Sequence, residues 1–94
     1  MTRAEEQHVE CVASIGCVVC RRLGHGYSPA EIHHVAEGSG LRSNFAVVGL
    51  CKEHHTGGSG FHTLRKRFLS LYRVPGETEW GLLAWVNEDL SRYA

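Results

Sequence analysis

The sequence predicts a small α+β domain in which a short two-stranded antiparallel hairpin feeds a helix, with further helices flanking it at the N- and C-terminal ends. Three observations carry this expectation. Two short stretches rich in apolar and β-branched residues, 31–35 and 45–50, lie on either side of a glycine-rich segment. Apolar residues recur at helical spacing near both ends of the chain. Cys17-x-x-Cys20 and Cys51-x-x-His54 supply two ligand-spaced pairs that one tetrahedral ion can join.

With 94 residues the chain reads as one domain, 1–94. So short a chain buries a modest fraction of its surface, and a metal crosslink is a natural aid to its stability. Hydrophobic residues make up 43% of it, too many for a disordered polymer, and no apolar run approaches membrane-spanning length. The opening MTRAEEQHVE is acidic and has no apolar signal core, which predicts a cytoplasmic protein. Paired cysteines there point to metal or redox work rather than to disulfides. The formal net charge is zero but unevenly spread. Residues 16–76 sum to about +5, residues 1–15 to about −2 and residues 77–94 to about −3. A basic middle between acidic ends is compatible with a nucleic-acid partner.

Thr2 and Glu5 fit a capping box, and Ala4, Cys11, Val12 and Ile15 fall near one face, predicting a helix over 3–14. Cys11 and His8 are expected on that packed face, in structural roles. Gly16 ends the helix and the Cys17–Cys20 knuckle follows at once. A redox role for the pair lacks the strand that feeds a thioredoxin-like helix. Residues 21–29 read as a polar loop with His25 in solvent. Residues 31–35 form the first strand, whose neighbouring side chains point to opposite faces. A regular strand therefore cannot aim both His33 and His34 at one ion; either it distorts or the two histidines play different roles.

Residues 36–44 are expected as a glycine-rich loop, and 45–50 as a second strand buried on both faces. Cys51 begins a helix and gives Cys-x-x-His about thirty residues after Cys-x-x-Cys, a strong signal for structural Zn2+ held by Cys17, Cys20, Cys51 and His54. A Cys51/His55 pairing would exchange the roles of the two histidines. Thr56–Gly60 breaks the helix. The next one carries Leu64, Phe68, Leu71 and Tyr72 on its apolar face and Arg65, Lys66, Arg67 and Arg73 on the other. Pro75-Gly76 ends it. Thr78 is expected to cap a final helix that packs Trp80, Leu82, Leu83, Trp85, Val86 and Leu90 against the body.

Histidines at the end of the first strand and at the start of the following helix make a compact metal cage. Hydrolysis of a phosphodiester needs an activated water, charge neutralisation on the phosphate and relief of the leaving oxygen. A divalent cation supplies the last two, and a neutral histidine supplies the first.

The paired His33-His34, Asn44 and LCKEHH at 50–55 resemble the first H, the N and the last H of HNH nucleases built on a zinc knuckle. VASIGCVVCR (12–21), IHHVAEG (32–38), FAVVGLCKEHHTGGSG (45–60) and HTLRKRFLSLY (62–72) resemble the Ref family over roughly residues 9–93. These are phage and prophage recombination-enhancement nucleases that cut DNA in concert with RecA. The resemblance implies a zinc-stabilised ββα-metal (HNH) core and a bacterial cytoplasmic setting. It casts His34 as the general base and Asn44 as the residue that steadies the loop and orients that base. It puts the catalytic cation on His33, where many HNH enzymes have Asp, and on His55, with His62 as a further candidate. An all-imidazole site is softer and favours Zn2+, Mn2+ or Ni2+ over Mg2+. The Ref proteins also carry a basic N-terminal extension absent here, so weaker and strongly salt-dependent DNA binding is expected.

Two functions follow. The first is a DNA endonuclease or nickase leaving 3′-hydroxyl and 5′-phosphate ends, with Arg65, Lys66 and Arg67 on DNA phosphates. It acts as a monomer or homodimer, with RecA filaments as partner and no membrane. The second is a zinc-ribbon-like adaptor without catalysis, which needs one metal where the nuclease needs two.

Overall fold

The computed structural model describes residues 1–36 and 42–94. Helix α1 (Arg3–Ile15) starts on the expected capping box: the Thr2 hydroxyl accepts from Glu5 N–H at 3.1 Å and Glu5 Oε1 accepts from Thr2 N–H at 2.8 Å. It ends at Gly16, whose φ of 79° suits glycine and whose missing side chain lets the Ser28 carbonyl lie close. The buried stripe of α1 is Val12 and Ile15, with Val9 and His8 beside it. Cys11 and Ala4 are exposed, a correction to the expected face. At 100° per residue Cys11 lies a step round from Val12, and the β hairpin and the last helix meet α1 on the Val12 side.

The knuckle does not open into a loop at Arg21. Residues Val18–Arg22 form α2, with the Cys17 thiol at its N-cap accepting from Cys20 N–H. Strands β1 (Glu31–His34) and β2 (Val47–Leu50) pair antiparallel, with Glu31 opposite Leu50, His33 opposite Val48 and His34 opposite Val47. All four β2 residues are buried, and both α1 and the last helix pack against the strand. The expected first residue of that strand, Phe45, is instead 56% exposed and outside it. The middle of the expected glycine-rich loop, 37–41, lies outside the described residues.

A short helix, α3 (Lys52–His55), follows β2 directly and completes a strand–strand–helix unit. The predicted single helix after residue 60 is two pieces, α4 (Phe61–Leu64) and α5 (Lys66–Leu71), broken at Arg65 with φ 55° and ψ −124°. The break rotates the apolar face. Phe61, Phe68 and Leu69 are buried, while Leu71, expected inside, is 61% exposed. A 3-10 turn, Pro75–Glu77, leads to α6 (Glu79–Tyr93). Thr78 sits at the N-cap of α6 but makes no side-chain capping bond. Gly81 lets α6 press against the Pro75 carbonyl, where a Cβ would collide with backbone.

Leu82 and Val86 of α6 enter the core, but Trp80 is 49% exposed and Trp85 only half-buried, under the Arg22 guanidinium. Sequence periodicity also hides the buried Asp89. It accepts from Arg22 Nη1 at 2.8 and 3.0 Å, and Arg22 Nη2 donates to the Trp85 carbonyl. This pair joins the cysteine-bearing α2 to α6, and each charge is compensated where neither could stand alone.

Candidate functional site

Two clusters of potential metal ligands occur among the described residues. In the first, the N-cap turn of α2 presents Cys17 and Cys20, and the β2–α3 junction presents Cys51 and His54. The His54 Nδ1 lies 3.5 Å from Cys17 Sγ, 3.5 Å from Cys20 Sγ and 3.2 Å from Cys51 Sγ, and the Cys20 and Cys51 sulfurs are 3.7 Å apart. Zinc bonds of about 2.3 Å to sulfur and 2.0–2.1 Å to nitrogen give tetrahedral edges of about 3.5–3.8 Å, so this Cys3His donor set can hold a structural metal such as zinc. His54, not His55, joins the three thiols. Burial pushes the Cys17 thiol up to about 12 despite hydrogen bonds from the Cys51 and Cys20 backbone, which act the other way, so a thiolate there needs a cation beside it.

The second cluster is His33, His55 and His62, on β1, α3 and α4. The glycine excursion between α3 and α4 brings His62 back. Glu53 Oε2 accepts from Ser59 N–H and Oγ–H at 2.8 and 2.7 Å, and the Thr63 hydroxyl donates to the Gly57 carbonyl at 2.7 Å. His62 Nε2 then stands 3.1 Å from His55 Nε2, a spacing suited to two nitrogens sharing one ion. Carboxylates orient two of the rings. The Glu31 Oε1 is 2.9 Å from His55 Nδ1, and Glu79 Oε2 is 2.8 Å from His33 Nε2. Burial first, then the neighbouring His55, His62 and His34, hold His33 down at about 4. Burial also lowers His62, with His55 and Arg65 contributing. Three imidazoles facing one point are metal-binding groups, and the donor set suits a divalent transition ion.

His34 goes elsewhere. The strand stays regular, so His33 turns towards Glu79 and His34 towards Asn44 and Arg42. Arg42 Nη2 lies 2.9 Å from His34 Nδ1 and can only donate, so that nitrogen carries the lone pair and the ring proton sits on Nε2. Nε2–H donates to Asn44 Oδ1 at 2.9 Å, and Asn44 Nδ2 donates to Glu5 Oε2 at 2.8 Å. The bonds from Thr2 N–H, then from Asn44, hold the Glu5 carboxyl down at about 2. His33, His34, Arg42, His55 and His62 line one open cleft of about 320 Å³ with Ile32 and Ala36.

A family model described as "Recombination enhancement, RecA-dependent nuclease" matches residues 1–94. The chain belongs to that family. No curated protein and no solved structure matches it. Membership makes this chain a nuclease of recombination, with DNA as its substrate and a link to RecA. No helix among the described residues is long and apolar enough to cross a membrane.

In this RecA-dependent nuclease the three remaining site candidates, Arg65, Lys66 and Arg67, are exposed at the α4–α5 break, beginning three residues after His62. Sequence reading missed four residues. Arg42 counted there only as charge, and Glu5 only as a cap. Glu31 and Glu79 start a strand and a helix, and nothing local marks either as a histidine partner. The capping box was the one available signal, since it anchors Glu5 by one oxygen and leaves the other to be used.

Proposed function

We propose that the chain is a metal-dependent DNA endonuclease or nickase of the HNH type. His34 acts as general base, and a divalent cation is held by His33, His55 and His62. The observation that carries this reading is the shared cleft. A histidine whose Nδ1 lone pair is held by the exposed Arg42 guanidinium lines the same opening as three convergent imidazoles.

The cation, when bound, supplies Lewis-acid stabilisation of the phosphate and of the leaving oxygen. His33, His55 and His62 hold it, with Glu79 and Glu31 orienting two of the rings. The His34 Nδ1 takes the proton of the attacking water, and Asn44 holds the ring by Nε2–H while it does so. Arg42 donates to Nδ1 in the structure; on this reading the water takes over that contact and the guanidinium passes to a phosphate oxygen. Exposed Arg65, Lys66 and Arg67 contact the backbone without reading sequence. Zinc on Cys17, Cys20, Cys51 and His54 holds the platform together. The protein then works where RecA filaments form, in the cytoplasm of a bacterium, encoded by a phage or prophage.

Plasmid nicking with Mg2+, Mn2+ or Ni2+, with and without RecA filaments, tests this directly. Wild type nicks, and His34→Ala loses cutting by about 10²-fold or more while keeping its zinc and its unfolding transition. Undiminished cutting by His34→Ala sinks the general-base role. One metal per chain and no cutting under any condition overturns the nuclease reading of the cleft.

A further inference from the structure

We propose that Glu5, on the N-terminal helix, is a positioning residue that sets the tautomer of His34 by fixing which way the Asn44 amide faces. This deepens the reading of His34 as general base and rests on it.

A primary amide presents an acceptor on one side and donors on the other, and flipping it exchanges them. Glu5 has two oxygens with separate tasks: Oε1 accepts from Thr2 N–H at 2.8 Å, and Oε2 accepts from Asn44 Nδ2 at 2.8 Å. A carboxylate offers no proton, so Asn44 must turn its Nδ2 to Glu5 and its Oδ1 to His34. An acceptor 2.9 Å from His34 Nε2 requires the ring proton there, which leaves the lone pair on Nδ1, beside Arg42 in the residues that line the cleft. Arg42 favours the same tautomer from the other side, but its side chain is exposed and water or phosphate can replace it. Glu5 is anchored by the helix cap, so the setting survives when Arg42 moves. The other tautomer would place a proton on Nδ1, where a general base needs its lone pair.

Glu5→Gln separates this role from helix capping. The side-chain oxygen that remains in this variant can still accept from Thr2 N–H, so the cap stays. The new amide nitrogen then faces Asn44 as a donor, which turns the Asn44 amide over and points Nδ2 at His34 Nε2. Glu5→Gln combined with Asn44→Asp restores the order. The amide introduced on α1 donates to one oxygen of the introduced carboxylate, and the other oxygen accepts from His34 Nε2–H. The readout is the ring-nitrogen correlation spectrum of the full chain labelled with ¹⁵N-histidine, taken at mildly alkaline pH beside nicking kinetics.

Wild type shows Nε2–H at His34. Glu5→Gln shifts the ring predominantly to Nδ1–H and lowers kcat about 10- to 100-fold, with little change in KM for DNA. The double variant returns Nε2–H. Retention of Nε2–H in Glu5→Gln overturns the role of Glu5, even if His34→Ala is inactive and the general-base reading stands. Conversely, a tautomer that switches while His34→Ala still nicks DNA overturns the general-base reading and leaves Glu5 with no catalytic consequence.

Discussion

His33 and His34 are adjacent in the chain yet have little in common. Strand alternation sends one to a buried cluster and the other to a half-buried hydrogen-bond chain. The pair HH announces histidine chemistry, but the groups that hold each ring lie far along the chain: Glu79 meets His33 across 46 residues, and Asn44, itself held by Glu5 across 39, meets His34. His33 also sets a pH dependence. Its folded pKa of about 4 lies below the ordinary 6.5, mainly through burial. Between those values the unfolded chain takes up a proton that the folded chain does not. The stability tied to neutral His33 is therefore complete above about pH 6.5 and lost as pH falls towards 4, by at most about 3 kcal/mol. Urea midpoints of the chain with no cation on the histidine cluster should drop more between about pH 7 and 5 in wild type than in His33→Gln. Equal drops would mean that His33 is not desolvated in solution.

Among the elements, the α4–α5 break departs most from its sequence pattern. Leu64, Phe68, Leu71 and Tyr72 have continuous helical spacing, and nothing in the segment is a breaker. Even so, Arg65 takes a φ of 55° with ψ −124°, a region that costs a side-chain-bearing residue about 1–3 kcal/mol. The reason is tertiary. Phe61 packs edge-on against Phe68 in the core, His62 faces His55, and the chain turns at Arg65 between these contacts. Arg65→Gly should therefore raise thermal stability by about 1 kcal/mol. The same change should reduce the slope of log affinity for DNA against log salt by about one unit, because one phosphate contact is gone. Lower stability in Arg65→Gly would show that the backbone there is not strained, and an unchanged salt slope would remove Arg65 from the DNA surface. In α1 and α6 the helical pattern is plain, but the buried stripe is displaced from it. Cys11 and Trp80 are outside, and Asp89 is inside because Arg22 meets it.

For the molecule as a whole, the Cys3His cluster brings α2 and the β2–α3 junction to one point in a chain of only 94 residues, where a bound ion would crosslink them. A core this small leaves little stability in reserve, and three thiols packed round an imidazole gain their partner only from a cation. Stripping metal from this site with a chelator should abolish the cooperative unfolding transition seen by near-UV circular dichroism. Stoichiometric Zn2+ should restore it, and Cys51→Ala should behave as the stripped protein does. Persistence of the full native spectrum after complete metal removal would show that the cluster is dispensable to the fold.

Legible in the chain alone are the α+β class, the order of strand, strand and helix, both helix-terminal signals around α1, and the two ligand-spaced pairs. These depend on short-range periodicity, cap chemistry and the reach of a two-residue turn, all local quantities. Tertiary contacts were needed to settle that His54 rather than His55 faces the thiols, that β1 stays regular, and that Arg65 breaks a helix. They also bring Glu5, Glu31, Arg42 and Glu79 to the histidines. Such contacts join residues whose side chains carry no mutual signal along the chain. They exist because burial of β2 against α1 and α6 fixes where each neighbouring polar group must find its partner.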